Sequence, residues 1–208
     1  MMTMRVIMMN KGLLIVVSGP SGCGKGTILA EVLKQGNFFY SVSATTRQPR
    51  QGEIDGINYH FISKDKFEEL IENSGMLEYA SYCDNYYGTP KQKVDEMLDA
   101  GKDVILEIEV KGAMKIMEKC PEALFIFILP PSIKELRRRL VKRGTEAVEI
   151  VEKRISQAEG EIKNADKYDY AMVNGDLEEA ISDLLSIIKA EKLKINKNNN
   201  INEVLNNA

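Results

Sequence analysis

Leu13-Leu-Ile-Val-Val-Ser18-Gly19-Pro20-Ser21-Gly22-Cys23-Gly24-Lys25-Gly26-Thr27 decides the fold. Residues 13–18 are apolar on both faces and rich in β-branched side chains, the reading of a strand buried on both sides in a parallel sheet. The run enters a glycine-rich loop without a spacer, and residues 28–34 then read as helix. In that context the glycines let successive backbone N–H groups turn into one cavity, and the helix start adds positive potential. Lys25 then reaches the outer phosphates of a nucleotide. Gly26 stands where such loops carry Ser or Thr, with Thr27 one place later, so no hydroxyl directly follows Lys25. Cys23 occupies a variable place in the loop and reads as a bystander.

Working outward, residues 103–108, 124–129 and 170–173 are further apolar runs of the same buried kind. Helical patterns separate them at 91–100, 133–141 and 176–193, the last with Leu177, Ile181, Leu184 and Ile188 on one face. Alternating strands and helices predict an α/β fold, a parallel sheet covered by helices on both faces. Two stretches break the rhythm. Residues 40–90 carry short alternating segments at 57–62 and 77–82, most of the tyrosines and glycine-marked turns, which predicts a small inserted sheet, mixed antiparallel. Residues 142–149 form a charged link before a helix with Val148, Val151, Ile155, Ala158 and Ile162 at spacings of three and four. The expected organisation is one domain over 1–195, with a core at about 11–40 and 91–193. An insertion occupies about 41–90 and a lid about 142–156. The tail, 196–208, has seven asparagines in thirteen residues and is expected to be disordered.

The chain has 208 residues, 44% of them hydrophobic and 28% charged, close to the usual globular mix. Its 28 basic against 31 acidic residues leave a formal charge of −3, so no global basic field draws it to nucleic acid or an anionic membrane. Anions must be caught locally. Eight arginines stand against twenty lysines, and seven of the eight lie between residues 47 and 154. Three scattered cysteines fit neither a disulfide framework nor a zinc quartet and predict reduced thiols in a cytoplasmic protein. No signal peptide or membrane span is expected. Neither Asn-Lys pair is followed by the aspartate of a GTPase guanine reader, which argues against a switch protein.

Ser41-Val-Ser43-Ala-Thr-Thr-Arg47-Gln-Pro-Arg50-Gln-Gly-Glu53, followed by Gly56-Ile-Asn-Tyr59-His-Phe61, resembles the signature of the guanylate kinases. Leu77-Glu78, Asn85-Tyr-Tyr87-Gly88-Thr89, Leu106-Glu107-Ile-Glu109-Val-Lys-Gly112, Pro130-Pro-Ser132, Arg143-Gly-Thr145 and Val173-Asn174 match the same family in order, over about residues 11–193. The resemblance implies a P-loop nucleoside monophosphate kinase fold with a GMP-binding insertion and a lid. It implies transfer of the γ-phosphoryl group of ATP to GMP, with Mg²⁺ accompanying ATP. ATP would be held by residues 19–27 with Arg139, Arg143 and Asn174.

For GMP the resemblance implies Ser43, Arg47, Arg50, Tyr59, Glu78, Tyr87, Gly88, Thr89, Glu107 and Glu109. Two guanidinium forks can grip a phosphate bidentately and two phenols can donate to it, although two arginines beside a proline equally describe a solvated loop. Guanine presents N1–H and an exocyclic amine on one edge, so one carboxylate, Glu78, accepts from both, with Glu109 assisting and Ser43 and Thr89 meeting the rest. Phosphoryl transfer needs positioning and positive charge, which the resemblance assigns to Lys25, Arg47, Arg143 and Arg154. No direct protein ligand of Mg²⁺ is expected; Thr27 and Glu107 are candidates acting through water. Lys111 replaces a common glutamine without an evident reason. The competing expectations are a non-catalytic interaction module of the same fold and a kinase for another phosphorylated ribose or nucleotide. ATP and GMP are the expected partners, with no nucleic acid or membrane, and a homodimer stays open.

Overall fold

The computed structural model describes residues 11–82, 84–142 and 148–194. Arg143, the link at 143–147 and the asparagine-rich tail lie outside them. A five-stranded parallel sheet carries the chain, built from β1 (Leu14–Ser18), β2 (Phe38–Tyr40), β7 (Asp103–Glu107), β8 (Leu124–Leu129) and β9 (Tyr170–Val173) in the order β2-β7-β1-β8-β9. β1 is central because both its faces are apolar. Ile15 and Val17 pack toward α1 (Lys25–Gln35) and α7 (Leu177–Lys192), while Leu14 and Val16 pack toward α3 (Lys91–Asp99) and α4 (Val110–Lys119). These four side chains are at most 8% exposed, and burying such a side chain contributes roughly 1.5–3 kcal/mol each. Asp103 ties the lower end of the layers together: it accepts from the Leu13 N–H at 3.0 Å and pairs with Lys192 of α7 at 2.8 Å.

A second, four-stranded sheet has the order β4-β3-β6-β5, with β3 (Ala44–Thr45), β4 (His60–Phe61), β5 (Met76–Tyr82) and β6 (Asn85–Pro90). The insertion is mixed, as expected: β3 and β4 pair in parallel, while β3–β6 and β5–β6 pair antiparallel. The strand expected over 57–62 shrinks to two residues because Asp55, Asn58 and Gly56 fold the preceding stretch into a turn: the Asn58 side chain accepts from the Ile54 N–H and that of Asp55 from the Phe61 N–H. α2 (Lys64–Glu72) closes one face through Phe67, which stacks on Tyr86 at 5.2 Å between ring centroids. α5 (Ile133–Lys142) and α6 (Val148–Ile162) pair through a small core of Leu136, Leu140, Val151, Ile155 and Ala158. Among the described residues no helix is long and apolar enough to cross a membrane.

Candidate active site

The loop after β1 follows the backbone the glycines permit. Gly19, Gly22 and Gly24 have φ of 147°, 91° and 95°. Gly24 opens α1, and no side chain caps that helix, which leaves its first N–H groups to an anion. A Cβ on Gly24 would lie 2.2 Å from the Asn174 amide nitrogen. Gly24→Ala is therefore expected to destabilise the protein by at least about 1–2 kcal/mol from its left-handed backbone alone, read as a lowered urea midpoint. Lys25 lies over its own loop, its ammonium donating to the carbonyls of Gly19 (2.6 Å) and Pro20 (3.2 Å). Cys23 is fully buried beneath, and burial pushes its thiol pKa up, away from a reactive thiolate.

Side chains from three elements converge on this loop. Asn174, after β9, donates to the Cys23 carbonyl at 2.7 Å. Arg139 of α5 donates to the same carbonyl at 3.3 Å and to the Asn174 carbonyl at 2.9 Å, while its Nε is held by Glu135 at 2.9 Å. Arg138 and Arg139 together hold the Glu135 carboxyl down to about 2. Asn174, expected among the residues that hold ATP, braces the phosphate loop. Arg154 of α6 reaches the Ser21 hydroxyl, and Arg137 pairs with Glu152 to join α5 to α6.

Across the cleft, Arg47 follows β3. Its fork is held bidentately by Glu53, both contacts 2.9 Å, and Glu53 also accepts from the Arg50 N–H at 2.7 Å. The Glu53 carboxylate occupies the fork as a phosphate would, and raises the Arg47 pKa above its ordinary value. The guanidinium lies 5.5 Å from the Tyr59 ring centre, and Tyr59 meets Tyr87 edge-on at 6.0 Å. Arg50 is exposed. Arg47 after β3, Tyr59 just before β4 and Tyr87 on β6 are thus brought together by the pairing of β3 with both β4 and β6.

Glu78 and Thr89 are direct cross-strand partners on β5 and β6. A β-bulge between Met76 and Glu78 sets the direction in which Glu78 points. Thr89 donates to its carboxylate at 2.8 Å, and Glu78 is only 6% exposed. Burial pushes its carboxyl above the ordinary range, opposed by the Thr89 hydrogen bond and then by the charges of Lys115 and Lys119. Gly112, in the first turn of α4, admits this carboxylate: a Cβ there would lie 2.9 Å from Oε2. Gly88 has a packing role, because a Cβ would lie 2.6 Å from the Glu78 carbonyl and 3.1 Å from the Phe67 ring.

A cleft of about 360 Å³ joins the two halves. Gly19, Ser21 and Lys25 line one side, Ser43 and Tyr59 the other, and Glu107 and Glu109 its floor at the end of β7. Glu107 accepts from the Tyr40 hydroxyl at 3.1 Å, and its carboxylate lies 3.8 Å from where a Gly26 side chain would begin. Thr27 is exposed on the first turn of α1. Tyr40, Asn58, Gln157 and Glu161 also line the cleft and were not anticipated. For Gln157 and Glu161 a signal existed: they follow Arg154 at helical spacing on α6. A larger hollow of about 610 Å³ between α1 and α7 holds none of the motif residues, so size alone does not mark the site.

A phosphate loop at the end of the central strand, facing an inserted sheet that carries an arginine–tyrosine cluster and a buried carboxylate, defines a P-loop protein of the nucleoside monophosphate kinase type. The family model described as Guanylate kinase matches residues 11–191. A guanylate kinase of Clostridium tetani is 54% identical over 189 residues, covering 91% of this chain and 91% of that protein. One of Carboxydothermus hydrogenoformans is 56% identical over 187 residues, covering 89% and 92%. The crystal structure of guanylate kinase from Anaplasma phagocytophilum superposes with a TM-score of 0.77 at 35% identity, covering 94% of each chain. The chain belongs to the guanylate kinase family.

Proposed function

We propose that the protein transfers the γ-phosphoryl group of ATP to GMP, giving ADP and GDP. The observation that carries this reading is the buried Glu78–Thr89 pair on the inserted sheet. A carboxylate flanked by a hydroxyl accepts from guanine N1–H and the exocyclic amine, whereas adenine would set an N1 acceptor against it. Arg47, Arg50, Tyr59 and Tyr87 would take the GMP phosphate, which displaces Glu53 from the Arg47 fork. The phosphate loop would take ATP, with Lys25 leaving its own carbonyls for the outer phosphates. Arg139 braces the loop, and Arg154, with Arg143 beyond the described residues, would bring positive charge over the transferring group. No activated nucleophile is needed; the two phosphates must be brought in line and water kept out.

Mg²⁺ fits the residues present. It keeps several waters and takes one or two carboxylates together with substrate phosphates. Glu107 at the cleft floor, with Thr27, suits such a water-mediated role, and among the described residues no cluster of three acidic, cysteine or histidine side chains forms a cage. When bound, the ion supplies charge neutralisation to the phosphates.

The test is ADP release from ATP and Mg²⁺ with GMP, AMP, CMP or dTMP as acceptor. Turnover is expected with GMP and at most about 10⁻³ of that efficiency with AMP. Equal efficiency with AMP would sink the guanine reading, and no ADP with any acceptor would mark a binding module.

A further inference from the structure

β5 is the edge strand of the inserted sheet, so the carbonyls on its outer side have no strand to receive. Helix α4 meets them instead. On one face of that helix Gly112, Lys115 and Lys119 follow at spacings of three and four. Lys115 donates to the Tyr79 carbonyl, with its ammonium 5.3 Å from the centre of the Tyr79 ring. Lys119 donates to the Leu77 carbonyl at 2.7 Å. The residue between those two carbonyls is Glu78, and Gly112 of the same helix face abuts its carboxylate. The bulge that aims Glu78 spans Leu77, the residue Lys119 holds.

We propose that Lys115 and Lys119 are positioning residues for guanine recognition: by gripping the β5 backbone on both sides of Glu78, they fix where its buried carboxylate is presented. The inference rests on the reading of Glu78 as the guanine acceptor. A strand edge with a bulge is free to twist, and a charge-assisted bond on each flank removes that freedom. The two ammonium groups also oppose the burial that would otherwise neutralise the carboxylate. Among the described residues, β6 faces Glu78 with the Thr89 hydroxyl, and α4 faces it with Lys115, Lys119 and the bare face of Gly112. Lysine recruits no ligand here. Its long apolar stem crosses the helix–strand gap, and its charge arrives at the backbone.

The experiment compares the intact chain with Lys115→Met/Lys119→Met, which keeps the stems and removes both donors and charges. The KM for GMP is expected to rise about tenfold or more, with kcat within about threefold and the KM for ATP unchanged. Removing positive charge raises the Glu78 pKa further, so the acid limb of kcat/KM for GMP should move to higher pH by about 0.5–1. Lys115→Arg/Lys119→Arg should keep the limb in place. If the double variant does not fold, Lys119→Met alone carries the same expectation at about half the shift. An unchanged KM for GMP and an unmoved acid limb, with only the denaturation midpoint lowered, would overturn the proposal by reducing the lysines to a structural clip. Wild-type protein that ignores GMP would instead overturn the underlying reading of Glu78.

Discussion

Lys25→Met is expected to lower kcat with ATP and GMP by about 10²- to 10³-fold, the usual cost of losing one preorganised charge aimed at a developing one. The ammonium rests over the loop that takes the phosphates, bonded to the Gly19 and Pro20 carbonyls, and exchanges those bonds for the outer phosphates when the nucleotide arrives. The GMP grip is built on another sheet, from Arg47, Tyr59 and Tyr87, and the KM for GMP should stay within about threefold. Lys25→Arg should not rescue: a planar fork is too wide for a seat closed by two carbonyls and the buried Cys23 sulfur, 3.9 Å from the ammonium. Steady-state kinetics beside a urea titration separates this from unfolding. A fall in kcat below tenfold would remove Lys25 from the charge-stabilising role.

How much of this was open to reading from residues depends on whether the feature has a side-chain signature. The central strand and its loop do. A both-faces-apolar run followed by spaced glycines has few other solutions, and the runs that became β8 and β9 stand at the expected residues. Two helices, α2 and α4, are not expected from the sequence although each has an apolar face. α4 begins inside a motif with Gly112 in its first turn, which lowers helical propensity where helices are recognised. α2 is nine residues long and buries only Phe67. In the site, Arg47, Tyr59, Tyr87, Glu78 and Thr89 are singled out by the ordered motifs of the resemblance, since two arginines beside a proline or one strand carboxylate alone equally describe a solvated surface. The partners of Lys115 and Lys119 are backbone carbonyls, which every residue has, so no spacing could have pointed to them. The same holds for Asn174 and Arg139, whose target is the Cys23 carbonyl.

Glu78→Gln separates function from stability most sharply. Its folded pKa lies above the ordinary carboxylate value because burial penalises the charge. A raised pKa means that the folded protein holds the proton to higher pH than the unfolded chain. This group's contribution to stability is therefore full below the unfolded value and is lost as pH rises through the folded one. At neutral pH the ionised carboxylate is a cost, and the neutral amide removes it while its oxygen can still accept from Thr89. The urea midpoint of Glu78→Gln at pH 7 should thus equal or exceed that of the wild type. Recognition goes the other way. An amide presents one acceptor and one donor where guanine presents two donors, so one buried pair becomes donor against donor. The expected loss in kcat/KM for GMP is on the order of 10²- to 10³-fold, with the KM for ATP unchanged. Because glutamine does not titrate, the acid limb assigned to Glu78 should vanish from the pH profile of the variant. If GMP kinetics were unaltered, or the limb persisted, the base would be read by another group, and Glu109 at the cleft floor would be the next to replace.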